Sequence, residues 1–411
     1  MSKVGGEPLK SRDEVARRIA AGRHLLAVRA NEAAATQLRA ALALDPRSSD
    51  AHALLALALA RTQHLDEAER EADAALALDA QGAYARYIKG IVCKQQQKWS
   101  CAEEMLRAAI ATQPLWGAPY EELAWTYNDQ GRHAEAEPVA RCAVALRPDS
   151  VWAHTTLGHI LLNARRHREA QPVLETALRL APENSYVHNA MARCYTATYQ
   201  YFAAETILRE SLALNPRDDT AHAYLAFVLS RQQRHEEALQ EVECALAIDA
   251  QRATSLCWMG YVLARAGRPE AALPWIERAL AINPHVVGFY GHQSLVYNLL
   301  KDHARAETAA RRGLEVKEDS ALVWVQLGYA LHPQGRREEA QAAFATALQL
   351  QPEDRDAHNG MGWFHLQAGR METALPFLRK AHELDPLDPL DPLARRNLEQ
   401  ALACGGERAH D

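Results

Sequence analysis

Prolines recur along this chain at a fixed step of 34 residues. Pro46, Pro114, Pro148, Pro182, Pro216, Pro284, Pro352 and Pro386 are separated by multiples of that step, and its three vacant rungs hold Ala80, Ala250 and Glu318. A period this short cannot bury an apolar face alone, so the pattern predicts a stack of like supersecondary units. With the proline at position 32, eleven repeats begin at Val15, Ser49, Ala83, Gly117, Val151, Ser185, Asp219, Ala253, Val287, Ala321 and Arg355. The array spans residues 15–388 without insertion or deletion.

Other columns hold the same register. Position 20 is alanine in every repeat, from Ala34 to Ala374, and position 27 is alanine except at Ser211 and Gly313. Position 8 is always small: Gly22, Ala56, Gly90, Ala124, Gly158, Ala192, Ala226, Gly260, Ser294, Gly328 and Gly362. Small residues are required where two helices cross closely, since overpacking costs about 1–3 kcal/mol. Positions 4, 7, 8 and 11 form a helical stripe, as in Tyr120, Leu123, Ala124 and Tyr127. Gly131, Gly267, Gly335 and Gly369 mark a turn near position 15. A second helix follows from about position 18, and the proline ends it.

These columns resemble the tetratricopeptide repeat family, and the tenth repeat shows the pattern most fully in Trp324, Leu327, Gly328, Ala340, Phe344, Ala347 and Pro352. The resemblance covers residues 15–388. It implies an all-α, right-handed superhelical solenoid of about eleven helix-turn-helix repeats, with first helices lining a concave groove. Around the array, residues 1–14 read as a polar segment, 389–403 as a capping helix bearing Leu398 and Leu402, and 404–411 as a disordered tail. The Asp-Pro-Leu repeats near residue 385 read as a stiff spacer. The ninth repeat departs from the rest, because Gly288, Gly291 and Gly313 fall inside its helices, which predicts local softness. Pro333 predicts an early end to the first helix of the tenth.

The resemblance implies that positions 2, 5, 9, 12 and 13 face the groove. From the third to the eighth repeat these carry Tyr84, Tyr87, Trp125, Asn128, Trp152, His159, Asn163, Tyr186, Asn189, Arg193, Phe227, Arg231, Tyr261 and Arg265. Aromatic rings interleaved with Asn and Arg form a recognition composition: large contact area, amides that match a peptide backbone, and guanidinium forks for carboxylates. The same rings can also fill space between adjacent helices. A chaperone-tail clamp is not expected, because no repeat has lysine at position 5.

Eighteen histidines raise the question of metal. His52, His154, His188, His222 and His358 share position 4, but equivalent sites in adjacent repeats stand at least a helix spacing apart, roughly 8–10 Å, too far for one ion. No metal or other cofactor is therefore expected. HExxH, P-loop and GxSxG signatures are absent, so the chain does not read as an enzyme. A net charge of −6 argues against a nucleic-acid surface, and no apolar run is long enough to insert in a membrane. Seven cysteines without a CxxC read as reduced thiols in a cytoplasm, and the alanine- and arginine-rich composition suggests a bacterium. Charged residues on second helices, such as Glu67, Glu69, Arg70 and Glu71, read as a solvated face. The expected role is an adaptor binding a protein or peptide in the groove. The alternatives are a subunit presenting substrate to a separately encoded enzyme, or a scaffold that self-assembles through its end faces.

Overall fold

The first helix of almost every repeat starts 34 residues after its predecessor. In the computed structural model, which describes residues 7–384 with 397 and 399, these odd-numbered helices are α1 (Glu7–Ala27), α3 (Ser49–Arg61), α5 (Ala83–Gln95), α7 (Gly117–Asp129) and α9 (Val151–Asn163). They continue as α11 (Ser185–Ala197), α13 (Asp219–Arg231), α15 (Ala253–Arg265), α17 (Val287–Leu299), α19 (Ala321–Leu331) and α21 (Arg355–Gln367). The even-numbered helices are α2 (Asn31–Leu44), α4 (Leu65–Leu78), α6 (Trp99–Thr112), α8 (His133–Leu146) and α10 (His167–Leu180). After these come α12 (Tyr201–Leu214), α14 (His235–Ile248), α16 (Pro269–Ile282), α18 (His303–Val316), α20 (Arg337–Leu350) and α22 (Met371–Leu384). No strand occurs among the described residues. The helix α1 starts at Glu7, inside the segment 1–14 read as polar. The tail and most of the expected capping helix lie outside the described residues; Asn397, within that stretch, is helical and its amide donates to Asn359 Oδ1 at 3.2 Å.

Where the sequence reads as one unbroken array, the chain forms two compact units, Met1–Arg166 and His167–Asp411. In the first, α1/α2, α3/α4, α5/α6 and α7/α8 pair; in the second, pairing runs from α11/α12 to α21/α22. Each pair is closed by the same device. A Cβ built on Gly260 would lie 2.4 Å from Ile276 and 2.9 Å from the Ala272 carbonyl; on Gly328 it would lie 2.7 Å from the Phe344 ring. Position 8 is therefore small because position 24 of the partner helix occupies that space.

Position 4 closes the joint to the previous repeat. The Tyr120 hydroxyl donates to the Pro114 carbonyl at 3.1 Å, and the Trp324 indole to the Glu318 carbonyl at 2.7 Å. His154 and His358 place Nε2 2.9 Å from the carbonyls of Pro148 and Pro352. These carbonyls follow a helix end and have no intrahelical partner, so a polar-tipped ring there satisfies them. Position 34 supplies N-caps: Ser48, Ser150, Asp218 and Asp354 accept backbone N–H groups of α3, α9, α13 and α21. In all eleven repeats position 15 takes positive φ, between 57° and 81°, although only four of them place glycine there.

The second-helix charges do more than face solvent. Lys98 bonds Glu69 at 2.7 Å, Arg132 bonds Glu103 at 2.7 Å, and Arg234 and Arg336 repeat the contact onto Glu205 and Glu307. These position-16 cations tie each turn to the preceding second helix. The bond from Lys98 pulls the Glu69 carboxyl down to about 2.

One further expectation is revised, and two irregular repeats show their form. Cys93 and Cys101, read as free thiols, form a disulfide across the α5–α6 turn, where the hairpin brings their Cα atoms to 5.9 Å. A separation of eight residues places them in one another's reach only once the helices reverse direction. The glycines of the ninth repeat do not shorten its helices: α17 and α18 have the same lengths as their equivalents in neighbouring repeats. Gly291 and Gly313 instead admit Leu322 and the Tyr290 Cβ, each 2.9 Å from where a Cβ would stand. At Pro333, α19 stops at Leu331 and a 3-10 turn follows.

Candidate functional site

The predicted stripe separates into distinct ring groups. In the first unit Tyr84 and Tyr87 on α5 pack against Trp116, at centroid distances of 6.1 and 4.8 Å. Burial pushes the Tyr84 hydroxyl up to about 12 and raises that of Tyr87. Both rings also lean on the core formed by α1–α5, so they are half-buried supports as well as surface.

Trp125 and Trp152 belong to α7 and α9 and meet at 5.3 Å, with the His159 ring edge-on to Trp125 at 5.7 Å. Trp152 is 37% exposed. Beside them the Asn163 amide donates to Asn128 Oδ1 at 2.9 Å, with Asn163 exposed and Asn128 buried. Below this surface, Glu121 is held by Arg147 at 3.0 Å and Ser150 at 2.7 Å; its carboxyl is nevertheless raised, because burial outweighs those bonds.

In the second unit the residues of the stripe have different fates. Tyr186 is exposed and Arg193 half-buried. Asn189 is committed to the fold: its amide donates to Asp218 Oδ2, and its Oδ1 accepts from Ser211, each at 2.8 Å. Phe227, Arg231, Tyr261 and Arg265 line a cavity of 610 Å³. Phe227 lies 4.6 Å from Trp258 and 5.4 Å from Tyr261, and His292 stands 5.2 and 5.0 Å from those last two rings. Burial pushes the His292 imidazole down to about 4, so it is neutral near pH 7, with Nδ1 3.2 Å from the Cys257 sulfur.

The second unit also touches itself across a long stretch of chain. Arg355 N–H donates to the Tyr199 hydroxyl at 2.9 Å, and that hydroxyl donates to the Glu353 carbonyl at 3.3 Å. Arg168 pairs with Glu353 at 2.9 Å, and Arg231 lies 3.8 Å from Asp356. Arg355, 2% exposed, bonds Asp356 at 3.0 Å.

Trp116, Trp258, His292, Arg355 and Asp356 are absent from the predicted set. Trp258 and His292 both occupy position 6, one turn before the position-9 rings, so a wider helical face in the sequence would have found them. Trp116 sits in the turn before α7. Arg355 and Asp356 open α21, and only the distant contact to Tyr199 marks them.

Models of the tetratricopeptide repeat match residues 127–194, residues 19–83 and 325–389, and residues 220–243 and 253–278. Together these segments cover more than half of the chain. Over 90 residues, 22% of its length, the chain is 30% identical to the cell division cycle protein 27 homolog of Caenorhabditis elegans. That match spans 11% of the nematode protein. Among solved structures, the APC/C hetero-tetramer Cut9–Hcn1 is similar at a TM-score of 0.43 and 12% identity, over 93% of this chain and 95% of that one. Pseudomonas aeruginosa PilF gives a TM-score of 0.43 and 21% identity, over 50% of this chain and 94% of its own.

Proposed function

We propose that this chain, which belongs to the tetratricopeptide repeat family, is a non-catalytic scaffold that holds a segment of another protein on its first helices. One observation carries the reading: Trp125 and Trp152 form a ring pair at 5.3 Å whose outer member is exposed, beside the paired amides of Asn128 and Asn163. A large rigid apolar surface flanked by amides suits a peptide backbone and its side chains. Tyr84 and Tyr87 extend the same kind of surface on α5. In the second unit the exposure of Tyr186 and the partial exposure of Arg193 support a part for them in the same contact.

The test is affinity capture from the native cell with the intact chain and with Trp125→Ala/Trp152→Ala/Asn163→Ala, quantified by mass spectrometry. A partner that depends on this surface should fall at least about tenfold, since buried aromatic anchors carry 2 kcal/mol or more apiece. Recovery of the same proteins in the same amounts would overturn the reading. The cytoplasm is the proposed compartment, supported by the unpaired cysteines among the described residues, Cys142, Cys194, Cys244 and Cys257. Fractionation that finds a tagged chain outside the cytoplasm would overturn that placement.

A further inference from the structure

The cavity of the second unit has a polarity that a partner segment does not explain. Its rings come from positions 6 and 9 of successive first helices: Phe227, Trp258, Tyr261 and His292. Its cations come from position 13, Arg231 and Arg265, on the C-terminal side of the same helices α13 and α15. At 1.5 Å per residue, the cationic end stands about 6–10 Å from the ring cage. Arg355 joins that end, because Asp356, its bonded neighbour, lies 3.8 Å from Arg231.

Charge at this end is unbalanced. Arg252, another lining residue, is neutralised by Asp219. Asp356 is the one carboxylate among the lining residues, and it is shared between Arg231 and Arg355. Among the described residues Arg265 has no carboxylate partner, and its buried Nε has no hydrogen-bond acceptor. The Nε of Arg231 is likewise buried without an acceptor, though that side chain is only 8% exposed. Donors left without acceptors beside an apolar ring surface are what an anion would satisfy.

The form of the site limits the size of its occupant. Tyr261 is 4% exposed and Arg231 nearly as hidden, so a peptide main chain running over the surface would not reach them. A volume of 610 Å³ falls within the range of small-molecule pockets. Gly288 lines the wall as bare backbone, with nothing within 4 Å of where its Cβ would be.

We propose that this cavity binds a small organic anion, its flat apolar body against the packed rings of Phe227, Trp258 and Tyr261 and its acidic group against Arg231 and Arg265. This ligand is separate from the protein segment assigned to the first helices. The two readings can fail independently, because the variants that test that segment lie in the first unit.

The test uses the full chain and two probes that share a ring system: 8-anilino-1-naphthalenesulfonate, an aromatic anion, and N-phenyl-1-naphthylamine, its uncharged counterpart. One sulfonate should bind per chain, at least about tenfold tighter than the amine, the usual worth of a charge-assisted hydrogen bond. Arg265→Gln should weaken the sulfonate about tenfold and leave the amine unchanged. Asp356→Asn, which removes the competing carboxylate, should tighten the sulfonate severalfold. Those opposite signs separate recognition from damage, since a loosened fold would shift both variants alike. Trp258→Ala should weaken both probes. Several equivalent sulfonate sites, equal binding of the amine, or an Arg265→Gln chain that binds the sulfonate as before would each overturn the proposal.

Discussion

Some residues at repeat positions 9 and 13 meet different surroundings in the two units. In the first they are Trp125, half-buried against an exposed Trp152, and Asn163, exposed and paired with Asn128. In the second, Tyr261 and Arg231 occupy the same positions and are withdrawn into a cavity. The packing columns are common to both units, so helix register does not make the difference. The second unit adds a contact between Tyr199 and residues 353–355, which brings α21 and its charges to the cavity that α13 and α15 line. Register selects the face, and long-range closure decides whether that face is surface or interior.

Removing one ring from each unit puts that distinction to its strongest test. Trp258→Ala strips a ring packed on Phe227, Tyr261 and His292 and should cost about 3 kcal/mol in chemical denaturation. Trp152→Ala removes a ring already open to solvent and should cost less than about 1 kcal/mol. Equal losses would mean that the two ring groups do the same structural job, and the comparison would collapse.

Acid should act on the second unit through His292. Its imidazole titrates at about 4 when folded, against an unfolded value near 6.5, because burial disfavours the cation. Between those values the unfolded chain binds the extra proton. Stability is therefore complete above pH 6.5 and falls as pH drops toward 4, by on the order of 3 kcal/mol. His235, His332, His358 and His365 are depressed by burial too and add in the same direction. His292→Gln should flatten much of the slope in pH-dependent unfolding, and an unchanged slope would remove His292 as its source.

Much of this architecture could be read from the sequence, because its causes are local. The proline column ends helices through backbone chemistry, and the small column at position 8 answers to position 24, sixteen residues away in the same repeat. Both recur every 34 residues. The role of position 4 was half legible: its rings were seen as packing, but His154 and His358 also serve the carbonyls of Pro148 and Pro352. The Cys93–Cys101 bond needed the hairpin, and the cavity needed a contact between residues 156 apart in sequence. No periodic pattern encodes such a contact. Asn189 looked like a recognition residue because amides suit that role; its bonds to Asp218 and Ser211 depend on neighbours that a column cannot show.

The smallest expected effect sharpens the comparison most finely, because it concerns one position in the two units. Position 15 has positive φ everywhere, and Gln63 and Gln97 hold it in the first unit against their own steric preference. Glycine there relieves the crowding of Cβ, at the cost of a freer unfolded chain, so Gln63→Gly and Gln97→Gly should each stabilise by up to about 1 kcal/mol. Tyr199 has the same backbone, with φ of 60°, yet its hydroxyl links the carbonyl of Glu353 to the N–H of Arg355. Tyr199→Gly should therefore destabilise, since the lost ring contacts and an unsatisfied N–H outweigh the relieved strain. Tyr199→Phe isolates the hydroxyl and should speed amide exchange at residues 353–356 with little change in the first unit. If all three glycine variants stabilise alike, Tyr199 is an ordinary turn residue and the cavity does not depend on closure.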